Sequence, residues 1–179
     1  MAREVIKGIP VAAGVAIGKA LFLNRSRFEN VPRQSVPDDL VGAEAERLAL
    51  AFAQTGSDLQ AARAKIPAEL RDHALIIDSH LMILRDPKLK GAAERYVREQ
   101  AVCAEWALEK AVEDLAKVFS ALEDPYIRER MGDVRMVGER VMLRLAGDKP
   151  DLAAIEGRVV LLAHDLAPAD TVELPIDKI

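Results

Sequence analysis

The strongest constraint in this chain is a periodic apolar stripe. Val41, Ala45, Leu48, Phe52, Leu59, Ala62 and Ile66 follow one another in steps of 4, 3, 4, 7, 3 and 4. At roughly 3.6 residues per turn that spacing keeps all seven on one side of a helix. The rung inside the longest step is Thr55. A helix that is apolar along a single stripe must bury it against other elements, and the chain supplies them. Asp86-Pro87 joins an N-cap residue to a first-turn proline, so one helix stops and another starts there. A helical run covers about 87–119, with a break near Gln100–Cys103, and Asp124-Pro125 repeats the start signal. A last helix carries Ile127, Met131, Val134, Val141 and Leu145 and ends at Ala146-Gly147. Residues 38–146 therefore read as four or more helices with short connections, an antiparallel bundle. Half the residues are hydrophobic but aromatics make up 4%, which favours helix-on-helix packing over an all-β sandwich.

The two ends have a different texture. Residues 1–28 are rich in Gly, Val, Ile and Ala and read as short strands, with turns at Gly8-Ile9-Pro10 and Ala13-Gly14. Residues 29–37, with Pro32 and Pro37, read as a polar linker. Residues 147–157 form a connection, Arg158–Ala163 returns to a strand-like run, and a short helix starts near Pro168. The economical arrangement is an α+β fold: a helical bundle (29–146) inserted into a small α/β domain. The two parts of that domain (1–28 and 147–179) would share one sheet.

Several function classes are excluded or unsupported. Net charge is −4 with acids and bases interspersed, so nothing favours nucleic acid. A single cysteine, Cys103, allows no internal disulfide and fits a reducing cytoplasm. No apolar run is long enough to span a membrane. The first apolar run is broken by Gly8, Pro10, Gly14, Gly18 and Lys19, and reads as structure rather than a targeting segment. Gly14–Ala20 resembles a phosphate loop but is one residue short between its glycines. Ala20 also stands where a Mg²⁺-binding hydroxyl would be needed. His73, His80, His164 and Cys103 have no metal-ligand spacing; His73 and His80 would sit roughly 10 Å apart along a helix. No self-contained active site is visible.

The helix around residues 70–84 is apolar on two sides. Leu70, Ala74, Ile77, Leu81 and Leu84 form a seam with steps of 4, 3, 4 and 3. Leu75, Ile76, Met82 and Ile83 lie opposite, around Ser79, where a helix that only covers a core would be polar. Spacing leaves two readings open: a helix buried all round, or an exposed docking surface, to which a flexible Met82 is suited.

Four stretches occur together in one known family: GIPVAAGVAIGKALFL, IIDSHLMILRDPKL, EDPYIRERMGDVRMVGERV and VVLLAHDLAPADTVEL, in that order. Across essentially its whole length the chain resembles the N-terminal half of enzyme I of the bacterial sugar phosphotransferase system, the phosphoenolpyruvate–protein phosphotransferases. The resemblance implies a helical bundle inserted into an α/β phosphohistidine domain. It also implies a cytoplasmic enzyme that phosphorylates its own histidine from phosphoenolpyruvate with Mg²⁺, then passes the phosphoryl group to the carrier HPr. On this resemblance His80, Met82, Ile83 and Leu89 match HPr-docking positions, with Leu75 on the same face. Ile127 and Arg130 match further ones, and His80 is expected as a rim contact. Thr171 matches a threonine that supports the active histidine. The family's Gly-Gly-x-Thr-Ser-His segment is expected beyond Ile179, so the sequence reads as a fragment with no catalytic residue or cofactor of its own. The family homodimerises through its C-terminal domain. The alternatives left open are a nitrogen-regulatory or dihydroxyacetone-linked relative, or a stand-alone helical dimerisation domain.

Overall fold

The computed structural model describes residues 12–23, 27–67, 69, 71–121, 131–147, 157–163, 166 and 168–179. The expected turn at Gly8-Ile9-Pro10 and the start signal at Asp124-Pro125 lie outside them.

Helix α1 runs over Val41–Ala64 and realises the periodic stripe. Ala45, Leu48, Phe52, Leu59 and Ala62 are buried along it, and Val41 and Ile66 pack against the same core at its two ends. Thr55 is buried with them. Its hydroxyl donates to the Ala51 carbonyl at 2.8 Å, which satisfies the one polar group on the stripe. Helix α2 spans Arg71–Arg85. After it, the Asp86 carboxylate accepts the Lys88 N–H at 2.8 Å, and a turn over 87–89 leads into α3, Lys90–Gln100.

Helix α4 spans Ala104–Ser120 and α5 spans Met131–Leu145. Between α3 and α4, Ala101 adopts a left-handed conformation (φ 47°) and Cys103 is extended, which is the expected break. The stretch read as a linker is not free. Ser35 bridges Val102 antiparallel, Val36 N–H donates to the Ala101 carbonyl and Cys103 N–H to the Gln34 carbonyl. The partners are remote in sequence, so no local pattern could reveal this strap. Helices α1–α5 share one core that includes Leu48, Leu59, Leu108, Val137 and Val141, each fully buried. At Gly138 on α5 an added Cβ would meet Val112 Cγ2 at 3.0 Å and Phe28 Cζ at 3.1 Å, so the glycine permits a close helix approach.

Strands β1 (Lys19–Leu23) and β2 (Val159–Ala163) pair in parallel, with Lys19 opposite Val159 and Leu23 opposite Ala163. Parallel neighbours need a long crossover, and here the whole bundle is that crossover. The fold is thus α+β, with strand pieces from both ends of the chain meeting in one small sheet. A short helix α6, Pro168–Glu173, then returns to the bundle, where it contacts α1 and α2 and buries Ala169 in the core.

Candidate functional site

The two faces of α2 separate cleanly. Ile77, Leu81 and Leu84 are buried, and Ala74 is half-buried beside them. On the other side Leu75 is 61% exposed, Ile76 38% and Met82 75%. They flank Ser79, whose hydroxyl is tied to the Leu75 carbonyl at 3.0 Å and so is turned back on its own helix. Exposed Asp72 and Asp86 stand at the two ends of this stripe. Asp78 lies to the side. Its carboxylate pairs with Arg63 of α1 (Nη2–Oδ2 2.9 Å), and the guanidinium holds its pKa below the ordinary carboxylate range. Of the two readings that spacing left open for this second face, the structure realises the solvent-facing one: an apolar strip with acidic ends.

Two of the expected surface residues are not on it. His80 is fully buried, and so is Leu89. His80 lies three residues after Ile77 and four before Leu84, which is the core stripe rather than its rim. Leu89 is turned inward by the 87–89 turn, where its N–H donates to the Asp86 carbonyl and its carbonyl receives Ala93 N–H. Ile83 is half-buried and packs on the core edge. Leu75, Ile76 and Met82 are exposed on this face. Ile127 and Arg130 lie outside the described residues. So does His164, and nothing is described of the His73 side chain. Thr171 is exposed on α6.

The burial of His80 reveals a polar cluster that sequence reasoning missed. His80 Nε2 lies 3.6 Å from Asp133 Oδ1 on α5. Two turns further along α5, Arg140 is ion-paired with the buried Asp170 of α6. Burial pushes the His80 pKa below the ordinary histidine value, outweighing the attraction of Asp133. A signal did exist. Asp133, Arg140 and Arg144, in steps of 7 and 4, put three charges along the edge of the apolar stripe of α5. Among the described residues no group of three or more His, Cys, Asp or Glu side chains is placed to hold a metal, and no helix is long and apolar enough to cross a membrane.

Comparison with known proteins identifies the family. Residues 7–130 match the family described as PEP-utilising enzyme, N-terminal. A phosphoenolpyruvate-protein phosphotransferase of Cupriavidus necator is 38% identical over 180 aligned residues, covering 94% of this chain and 30% of that protein. One from Enterococcus faecalis is 36% identical, with 96% and 30% covered. The chain thus spans about 30% of the length of these curated relatives. Among solved structures, an Enzyme I solution structure superposes with a TM-score of 0.73 at 30% identity, covering 91% of this chain and 66% of that one. An N-terminal domain of the nitrogen Enzyme 1 gives 0.71 at 29%, covering 96% and 70%.

Proposed function

This chain belongs to the PEP-utilising enzyme N-terminal family, and from that premise we propose that it is the docking module of a phosphoenolpyruvate–protein phosphotransferase. In this reading it receives an HPr-like phosphocarrier on the exposed face of α2. The phosphoryl group passes from phosphoenolpyruvate, with Mg²⁺, through a histidine of the longer protein to the carrier, in the cytoplasm. The observation that carries the proposal is the solvent-facing strip Leu75, Ile76 and Met82, an apolar surface bounded by Asp72 and Asp86. Apolar centres with charged rims are how specific but reversible protein contacts are built. His80 and Leu89 act beneath this surface rather than in it. By the family resemblance, Thr171, exposed on α6, is assigned to support the phosphorylated histidine of the longer protein.

Titrating the chain with HPr while following amide resonances tests this. Leu75–Arg85 signals should shift, and Met82→Asp should weaken binding at least about tenfold, because a charge is then desolvated at the centre of the contact. The fold should be unaffected, since Met82 is 75% exposed. No shift at millimolar HPr, or a Met82→Asp variant that binds as well, would remove the proposal. Dimerisation of the free chain abolished by the same substitution would assign the strip to self-association instead.

A further inference from the structure

Three buried side-chain nitrogens among the described residues have no hydrogen-bond partner, namely Nδ1 and Nε2 of His80 and Nε of Arg140. All three belong to the cluster that joins α2, α5 and α6. A buried imidazole is normally held by at least one hydrogen bond. Here a carboxylate stands beside it, Asp133 Oδ1 at 3.6 Å from Nε2, just beyond bonding distance. Two turns along α5 from Asp133, Arg140 pairs with Asp170 of α6, the short helix that packs on α2. Helix α6 follows β2 in the chain, so the Arg140–Asp170 pair ties the bundle to the segment that supplies the sheet.

We propose that His80 is a buried proton-binding site that controls how α6 is seated on the bundle. A proton taken from solvent onto Nε2 draws the imidazolium onto Asp133 Oδ1. The new positive charge repels the Arg140 guanidinium and loosens its pair with Asp170. The charged groups that act on His80 are Asp133 and Arg140 from α5 and Asp170 from α6. Leu75 and Met82 of the docking strip lie on the opposite face of α2, while Ile76, one turn before His80, lies at its edge.

The direction of the effect follows from burial. With its folded pKa below the ordinary histidine value, His80 binds a proton less readily in the folded chain than in the unfolded one. Its contribution is therefore full above the ordinary histidine pKa and is lost as pH falls from there toward the lower folded value.

The test uses the chain without any carrier, so its outcome is independent of the docking proposal. The His80 ring proton and the amides of Ala169, Asp170 and Thr171 are followed by NMR from about pH 8 to about pH 5, the histidine range. The α6 amides should move with the midpoint of the His80 ring, and in His80→Gln they should stay still. Over that window the unfolding equilibrium constant of the wild type should rise relative to His80→Gln by up to about tenfold per pH unit, the limit for one linked proton. Should His80→Gln not fold, Asp133→Asn decides: removing the attracting carboxylate should lower the ring midpoint further. Amides of α6 that ignore the ring titration, or a midpoint unchanged by Asp133→Asn, would overturn the proposal.

Discussion

Arg47 shows how single side chains lock this bundle. Its guanidinium donates to both oxygens of Glu44 at 2.6 and 3.1 Å, to both oxygens of Glu105 at 2.6 and 2.8 Å, and to the Leu145 carbonyl at 3.1 Å. It therefore ties α1 to α4 and to the last carbonyl of α5. Glu44 has a second task, since its Oε1 accepts the Ala104 N–H at 2.7 Å and caps α4 from another helix. The Arg47 hydrogen bond holds the Glu44 pKa below its ordinary value, against the effect of burial. Glu44 is thus stabilising above the ordinary glutamate range, and that contribution is lost as pH falls through its lower folded value. Glu44→Gln should cost about 1–2 kcal/mol at neutral pH, toward the lower figure because Arg47 is 39% exposed and screened by solvent. The gap from wild type in urea unfolding should close as pH drops below about 4. A gap that persists in acid would sink the electrostatic account. His80 marks the limit of legibility at this scale. It is not among the seam residues expected from spacing, and the family resemblance implies a rim contact, whereas it is fully buried. The charged groups around it, Asp133, Arg140 and Asp170, come from two other helices remote in sequence, so no local pattern could reveal that environment.

Helices were legible where a local rule sets them. The Val41–Ile66 stripe, the stop at Asp86-Pro87 and the break near Gln100–Cys103 all follow from periodicity and capping, and each has its counterpart in α1, the 87–89 turn and Ala101. The strap of 34–36 over 101–103 was not legible, because its hydrogen bonds join segments far apart in sequence. The charged residues of α5 were present but indistinguishable from a solvated face, because their partners Asp58 and Asp170 come from helices remote in sequence. Ala101 offers a test of this element-level logic. An L-residue at φ 47° costs roughly 1–2 kcal/mol that glycine avoids, against roughly 0.5–1 kcal/mol of extra chain entropy for glycine. Ala101→Gly should therefore stabilise the chain by about 0.5–1 kcal/mol in chemical denaturation; a loss would mean the half-buried Ala101 methyl contributes more by packing than its backbone costs. At Gly138 the opposite holds. Gly138→Leu should cost about 1–3 kcal/mol, because Val112 and Phe28 already fill the space. An unchanged melting temperature would show that α4 and α5 are less closely packed than the distances imply.

At the scale of the whole molecule, stability is unevenly distributed. The bundle shares a core of fully buried side chains drawn from five helices. The sheet, among the described residues, is two parallel strands. Phe22 is 72% exposed, Leu162 37%, and Val15 and Ile17 just before β1 are almost fully solvated. Two-stranded sheets are marginal in water unless another layer covers them. Backbone amides open with free energies ranging from near zero up to that of global unfolding, according to how much apolar contact holds them. Amides of β1 and β2 should therefore exchange with solvent at least on the order of 100-fold faster than those of Leu48, Leu59, Leu108 and Val112. Helix α6 should fall between the two, since Ala169 is in the core and Asp170 is paired with Arg140. Arg140→Gln should then shift α6, but not α1 or α4, toward the rate of the strands. Uniform protection across strands and bundle would mean that the sheet unfolds only with the helices. In that case the Arg140–Asp170 pair could not be the element that joins two units of unequal stability.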